Sequence, residues 1–319
     1  MQRVFIRTSL ALLSILLVTF NIEIFLRIIN YPWQGCNQII PVNETPIAQF
    51  DQDLGWSLIP NRTTKADGAL YIVNREGYRA PSANYTTDFS KPIILIVGDS
   101  MLFGHGLNFE DTFGHKLKHS LNNHYEVINF AVGGYGTDQM YLMLKRVFPK
   151  YRPSIVIMDT FTDHDSRNAQ RDRREFSNLR CIRMIGTKPQ FLLNDNILEL
   201  KYKPELYSSY DSPRILLFLR NKLSQNLNTR ATKYGHVLTQ ALIREIETYV
   251  KSHGVRLFIL NIDYTNQQFS YTNETRVLGI STYDETHTYH LTKDDWHPNS
   301  TGTSMMVYEF LKRFHQELL

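Results

Sequence analysis

From Lys91 to the C-terminus, short apolar runs alternate with stretches of helical periodicity, and few folds accept that alternation. A strand that is apolar at every position must be covered on both faces, and a helix placed between two such strands supplies the cover. Repeated, the pattern builds a parallel sheet with helices on either side. Strands read at Ile93 to Val97, Val127 to Val132, Ile155 to Phe161 and Val255 to Ile262. Helices are expected over Asp111 to Leu121, Asp138 to Phe148, Thr232 to Ser252 and Thr301 to Leu318. In the third of these, Leu238, Leu242, Ile246 and Tyr249 form one apolar stripe and Gly254 supplies the stop. The stretch from about 165 to 230 breaks the rhythm and is too long for a simple crossover. It reads as an insertion over the carboxyl edge of the sheet, where open α/β sheets bind ligands.

The first residues obey a different rule. Thr8 to Phe20 is almost wholly apolar and the run resumes through Ile24, Phe25 and Leu26, close to the ~20 residues that a bilayer span requires. Arg3 and Arg7 precede it, which places the N-terminus in the cytoplasm and the bulk of the chain outside, in the periplasm or beyond the cell. No small-residue processing site follows Phe20, so the segment reads as an uncleaved signal anchor. Three parts result: a membrane anchor over 1–30, a linker and strand-bearing lead-in over 31–90, and one main domain over 91–319. Of 319 residues, 42% are hydrophobic and 21% charged, enough for that domain with appendages. The net charge of +4 is spread without a basic, aromatic-bearing face, which argues against a nucleic-acid partner. Cys36 and Cys181 are the only cysteines, too few for a disulfide framework, though one bridge between them suits an oxidising compartment.

The chemistry gathers at strand ends. The apolar run Ile93 to Val97 stops at Gly98-Asp99-Ser100, which delivers a serine at the carboxyl end of a buried strand. A serine hydroxyl is a weak nucleophile and needs a base, an orienter for that base and donors for the developing oxyanion. Far downstream, Asp294-Asp295-Trp296-His297 supplies a base in His297 and an orienter in Asp294, three residues earlier. The nucleophile elbow of α/β-hydrolases is absent, since Leu102 stands where its last Gly belongs.

Three blocks together resemble the SGNH or GDSL hydrolase family. Ile96-Val-Gly-Asp-Ser100 looks like its first block, Asn129-Phe-Ala-Val-Gly-Gly134 like its second, and Asp294-Asp-Trp-His297 like its last. The lead-in, with Asp53-Leu-Gly-Trp56 and Asn74-Arg-Glu-Gly-Tyr-Arg79, is similar to membrane-anchored bacterial members. The resemblance implies a flavodoxin-like α/β/α sandwich with a five-stranded parallel sheet, and an ester-cleaving or acyl-transferring serine site without a cofactor. It also implies an oxyanion hole formed by the nucleophile's amide, a glycine amide and an asparagine side chain. The first two carry over to Ser100 and Gly134. The third does not, because Phe161 is followed by Thr162-Asp163-His164-Asp165 where the family has an Asn-Asp pair. Depending on register, Asp163 or His164 takes that place. An ionised Asp repels an oxyanion whereas His donates to it, so His164 is the favoured donor and Asn168 the alternative.

The expected activity is removal of an acyl group, for example acetyl, from a cell-envelope glycan or lipid. The same triad would serve an O-acyltransferase, and a noncatalytic glycan-binding relative is the reading that the altered third block favours. A rival reading takes His287, His290, Asp294, Asp295 and His297 as metal ligands, but their loop spacing is irregular. Arg167, Arg171, Arg173, Arg174, Arg180 and Arg183 offer a collecting surface for an anionic substrate, or simply a solvated face.

Overall fold

A computed structural model describes residues 2–29, 47–171, 186–195, 197–206, 213–263, 276–282 and 286–318. Cys36, Cys181 and the Arg173, Arg174, Arg180 and Arg183 readings lie outside the described residues.

The chain opens with helix α1 (Gln2–Ile28), then two antiparallel hairpins, β1 (Ala48–Asp51) with β2 (Gly55–Leu58) and β3 (Arg62–Ala66) with β4 (Ala69–Val73). The main domain follows as β5 (Ile93–Val97), α2 (Ser100–Phe103), α3 (Phe113–Ser120), β6 (Glu126–Asn129), α4 (Thr137–Tyr151), β7 (Ile155–Thr160) and α5 (Asp163–Ala169). A hairpin of β8 (Gln190–Asn194) and β9 (Ile197–Tyr202) leads to the long α6 (Arg214–Ser252). Then come β10 (Arg256–Asp263), β11 (Val277–Ser281), a short hairpin of β12 (His290–Thr292) and β13 (Asp295–Pro298), and α7 (Ser300–Leu318).

The expected fold class is found. Five strands form one parallel sheet in the order β11, β10, β7, β5, β6. Every residue of β5 and β7 is buried, as strands covered on both faces require. α3 packs beside α7 and α4 beside α6, giving the two helical layers. The sequence pattern located four of the strands; β11 (Val-Leu-Gly-Ile-Ser) is an edge strand with only Ile280 buried, so it lacks a continuous apolar run.

One element differs from expectation. α6 begins at Arg214, not near Thr232, so about the first 17 of its 39 residues lie in the stretch read as an insertion. The strand-bearing lead-in shares the core, because Leu54, Trp56, Tyr71, Val73 and Tyr78 join the same buried cluster as β5 and β7. Its contribution includes charge: Arg146 of α4 grips Asp51 through two hydrogen bonds of 2.6 and 2.8 Å. Gln139 donates to the Leu54 carbonyl and the Tyr135 hydroxyl to the Trp56 carbonyl, each at 2.7 Å.

Candidate active site

β5 is a central strand, and the chain leaves its carboxyl end at Gly98. A Cβ on that residue would lie 3.0 Å from both Asp159 Oδ1 and Leu102 Cβ, so a side chain there would press on both neighbours at the entry into α2. Asp99 caps α2 by accepting from the Met101 amide at 2.8 Å, and Ser100 becomes the first residue of the helix. Ser100 Oγ lies 2.8 Å from His297 Nε2, and His297 Nδ1 lies 2.6 Å from Asp295 Oδ1. A hydroxyl, an imidazole and a carboxylate therefore stand in one hydrogen-bonded line.

The carboxylate is Asp295 and not Asp294, which corrects the sequence expectation. Lys293 and Asp294 form the tip of the β12/β13 hairpin, with Thr292 paired to Asp295 across it. Asp294 is consequently exposed, while Asp295 and His297, two apart on β13, project to the same face as the strand repeat demands. Trp296 faces the other way, its ring 5.4 Å from His287 and 4.8 Å from His290. Those two histidines serve that aromatic stack and do not converge on the triad. The bond to His297 comes first among the causes that lower the Asp295 carboxyl to about 2, so it is ionised throughout the neutral range.

His105 was absent from the sequence reading and flanks the triad. Its ring centroid is 4.3 Å from that of His297, its Nε2 3.7 Å from Asp295 Oδ2 and its Nδ1 3.4 Å from Asp67 Oδ2. Burial, reinforced by His297, lowers its pKa. Only its place one turn after Ser100 could have flagged it. Among the described residues, two groups have ligand atoms close enough to share a metal ion: His105, Asp295 and His297, and the buried Asp99, Asp159 and His164. The first includes the two residues that line up with Ser100.

The oxyanion side divides. The Gly133–Gly134 turn passes beside Ser100: a Cβ on Gly133 would lie 4.0 Å from Ser100 Cβ, and Gly134 adopts φ +81°, which favours glycine. Trp56 of the lead-in holds this turn, its Nε1 donating to the Gly133 carbonyl at 3.1 Å.

The three side chains expected as third donors have different surroundings. His164 is fully buried with Nε2 3.5 Å from Asp99 Oδ2. Asn168 donates to Thr239 Oγ1 at 2.8 Å and accepts from the Asp138 amide at 3.3 Å. Asp163 stands on the surface, 3.7 Å from Arg167 Nη2. The physical reason is the helical start of this segment: α5 begins at Asp163, which turns His164 inward beneath the strand ends and Asn168, one turn later, toward α6.

Beneath Ser100 lies a buried charge network. Arg167 Nη1 donates to Asp99 Oδ2 at 2.6 Å and to the Tyr135 carbonyl at 2.9 Å. Asp159 accepts from the Asp99 amide at 3.2 Å and the Leu102 amide at 3.4 Å. Burial disfavours charge on both acids. Arg167 nevertheless holds Asp99 below the carboxylate range, and burial with the Asp99 charge pushes Asp159 well above it. The pair therefore favours a single negative charge, carried by Asp99. Burial likewise lowers His164, against the pull of Asp99.

No family model and no curated protein matches the chain. Among solved structures, the chain is similar to a lipase from a goat rumen metagenome, at 13% identity over 70% of this chain and 97% of that one, with a TM-score of 0.41. It is also similar to the psychrotrophic esterase EstA of Pseudoalteromonas, at 12% identity over 72% and 99% with a TM-score of 0.35. A third is the lipase/acylhydrolase of Enterococcus faecalis, at 11% identity over 71% and 96% with a TM-score of 0.32.

Proposed function

We propose that this protein is a serine ester hydrolase of SGNH type, anchored in a membrane by α1, that removes a short acyl group from a cell-envelope glycan or lipid. The observation that carries the reading is the line Ser100, His297, Asp295, at 2.8 and 2.6 Å, at the carboxyl end of a central parallel strand. Ser100 Oγ attacks the ester carbonyl and gives its proton to His297 Nε2. His297 Nδ1–H remains on Asp295, which fixes the tautomer and stabilises the imidazolium. The tetrahedral oxyanion accepts from the Ser100 and Gly134 amides. His297 then protonates the departing alkoxide, leaving an acyl-serine, and in the second half-reaction deprotonates the water that hydrolyses it. The reading that the site transfers acyl groups differs only in the acceptor of that second step.

A fluorophosphonate probe should label Ser100, and acetylated sugars screened against longer acyl esters should identify the class cleaved. Ser100→Ala should reduce hydrolysis by about 10⁶-fold. Equal rates for the two proteins would sink the enzyme reading, and product appearing on an added glycan hydroxyl would identify a transferase.

A further inference from the structure

α6 is far longer than the sheet it covers. It enters β10 through the turn at Gly254 and runs opposite to the parallel strands, so its N-terminal end points away from their carboxyl ends, on the side that carries Ser100. Its last part, from Gly235, covers the sheet, with Leu238, Leu242, Ile243, Ile246 and Val250 in the core. These roughly 18 residues span about 27 Å, matching the ~26 Å of the eight-residue β10.

Gly235 marks the level of the sheet's carboxyl edge. It packs against α5, which begins just after β7: a Cβ there would lie 2.1 Å from the Asp165 carbonyl oxygen. The neighbouring His236 Nδ1 meets Asp165 Oδ2 at 2.9 Å. Beyond that level the helix continues for about 20 residues to Ile215, a projection of about 30 Å.

The projecting end meets α1. Glu23 Oε2 accepts from the Ile215 amide at 2.9 Å, a cap on a helix N-terminus, and Glu23 Oε1 accepts from Arg27 Nε at 2.7 Å. Leu26 is the buried side chain among those described in α1, whose Phe5–Ile28 segment reaches a mean hydropathy of 2.1 over 18 residues and leaves most of its large apolar side chains exposed. At the same end of α6, Leu216 and Leu219 are 47% and 48% exposed. Apolar side chains left open beside a span-length helix fit the interfacial layer of the bilayer that helix enters.

We propose that α6 is a spacer that docks on the outer end of the membrane helix and holds the mouth of the serine site facing the bilayer at about 30 Å, so that the ester cleaved is carried by a molecule tethered to the same membrane. This rests on the hydrolase reading and on α1 spanning the bilayer. An acyl chain buried in lipid is out of reach at that height, whereas an ester on a lipid-linked glycan is within it. Sharing a membrane raises the effective concentration of that ester at the site.

The full chain in nanodiscs tests this. A dye-bearing fluorophosphonate on Ser100 and acceptor dyes on lipid headgroups should report a separation of about 30 Å. An ester on a lipid-tethered glycan in the same disc should be hydrolysed about tenfold faster than the same ester in solution. Glu23→Ala should label at the wild-type rate but lose both the fixed separation and the preference. A separation of twice that value, equal hydrolysis of tethered and free esters, or a Glu23→Ala protein indistinguishable from wild type would overturn the spacer. Failure of the probe to label Ser100 would instead overturn the hydrolase reading.

Discussion

Asp294 and Asp295 differ in nothing but hairpin position, and that position separates a surface charge from the partner of His297. Asp295→Asn should lower kcat by about 10⁴-fold while leaving the fold intact, whereas Asp294→Asn should stay within about twofold. Reversal of the two in steady-state kinetics would refute the assignment. The depressed Asp295 carboxyl adds stability that is complete above the ordinary carboxylate range and fades as pH falls toward about 2, so Asp295→Asn should remove stability at neutral pH. Asp159 behaves oppositely. Its pKa is raised in the folded protein, so as pH climbs past ~3.9 the unfolded chain releases this proton first and stability falls. Asp159→Asn keeps one acceptor oxygen, which at the Oδ2 position reaches both the Asp99 and the Leu102 amides at 3.4 Å, and should match wild type near pH 4 and exceed it increasingly toward neutrality in urea unfolding. A constant difference across that range would show Asp159 to be ionised.

At the scale of elements, the short α2 that presents Ser100 is held from outside the main domain. Arg79, buried between the rings of Tyr71 and Phe103, donates to the carbonyls of Phe103, Gly104 and Leu107, the segment that closes α2. Burial lowers its pKa to about 10, yet it remains charged at neutral pH. Arg79→Met would leave the Phe103 and Leu107 carbonyls without this donor, at about 1–3 kcal/mol for each that water does not reach, while the Gly104 carbonyl keeps the Leu107 amide at 3.2 Å. Denaturant titration should detect the loss, and an unchanged midpoint would show the bonds to be dispensable. The helical periodicity of α3, α4 and α7 and the apolar strands β5 and β7 were legible because each element buries its own stripe or face. β11 was not, since an edge strand does not carry the pattern that burial on two faces imposes, and the first half of α6 was not, since it runs beyond the strands.

Across the whole molecule, the lead-in shares the core while α1 does not. Removal of residues 1–29 should leave a folded protein that hydrolyses soluble esters at the wild-type rate. Removal of residues 1–90 would strip Leu54, Trp56, Tyr71, Val73 and Tyr78 from the core and the brace from the Gly133 turn, and should abolish cooperative thermal unfolding. A cooperative transition in the shorter chain would contradict that dependence. The parallel sheet, the serine at its strand end and the histidine near the C-terminus followed from sequence alone, because burial on two faces and the arrest of an apolar run are local patterns. Tertiary structure decided which aspartate meets His297, that His105 stands beside it, and that His164 is buried near Asp99 while Asn168 bonds Thr239. Those outcomes depend on a hairpin's register and on a helix starting at Asp163, and both are settled by packing against residues distant in the chain.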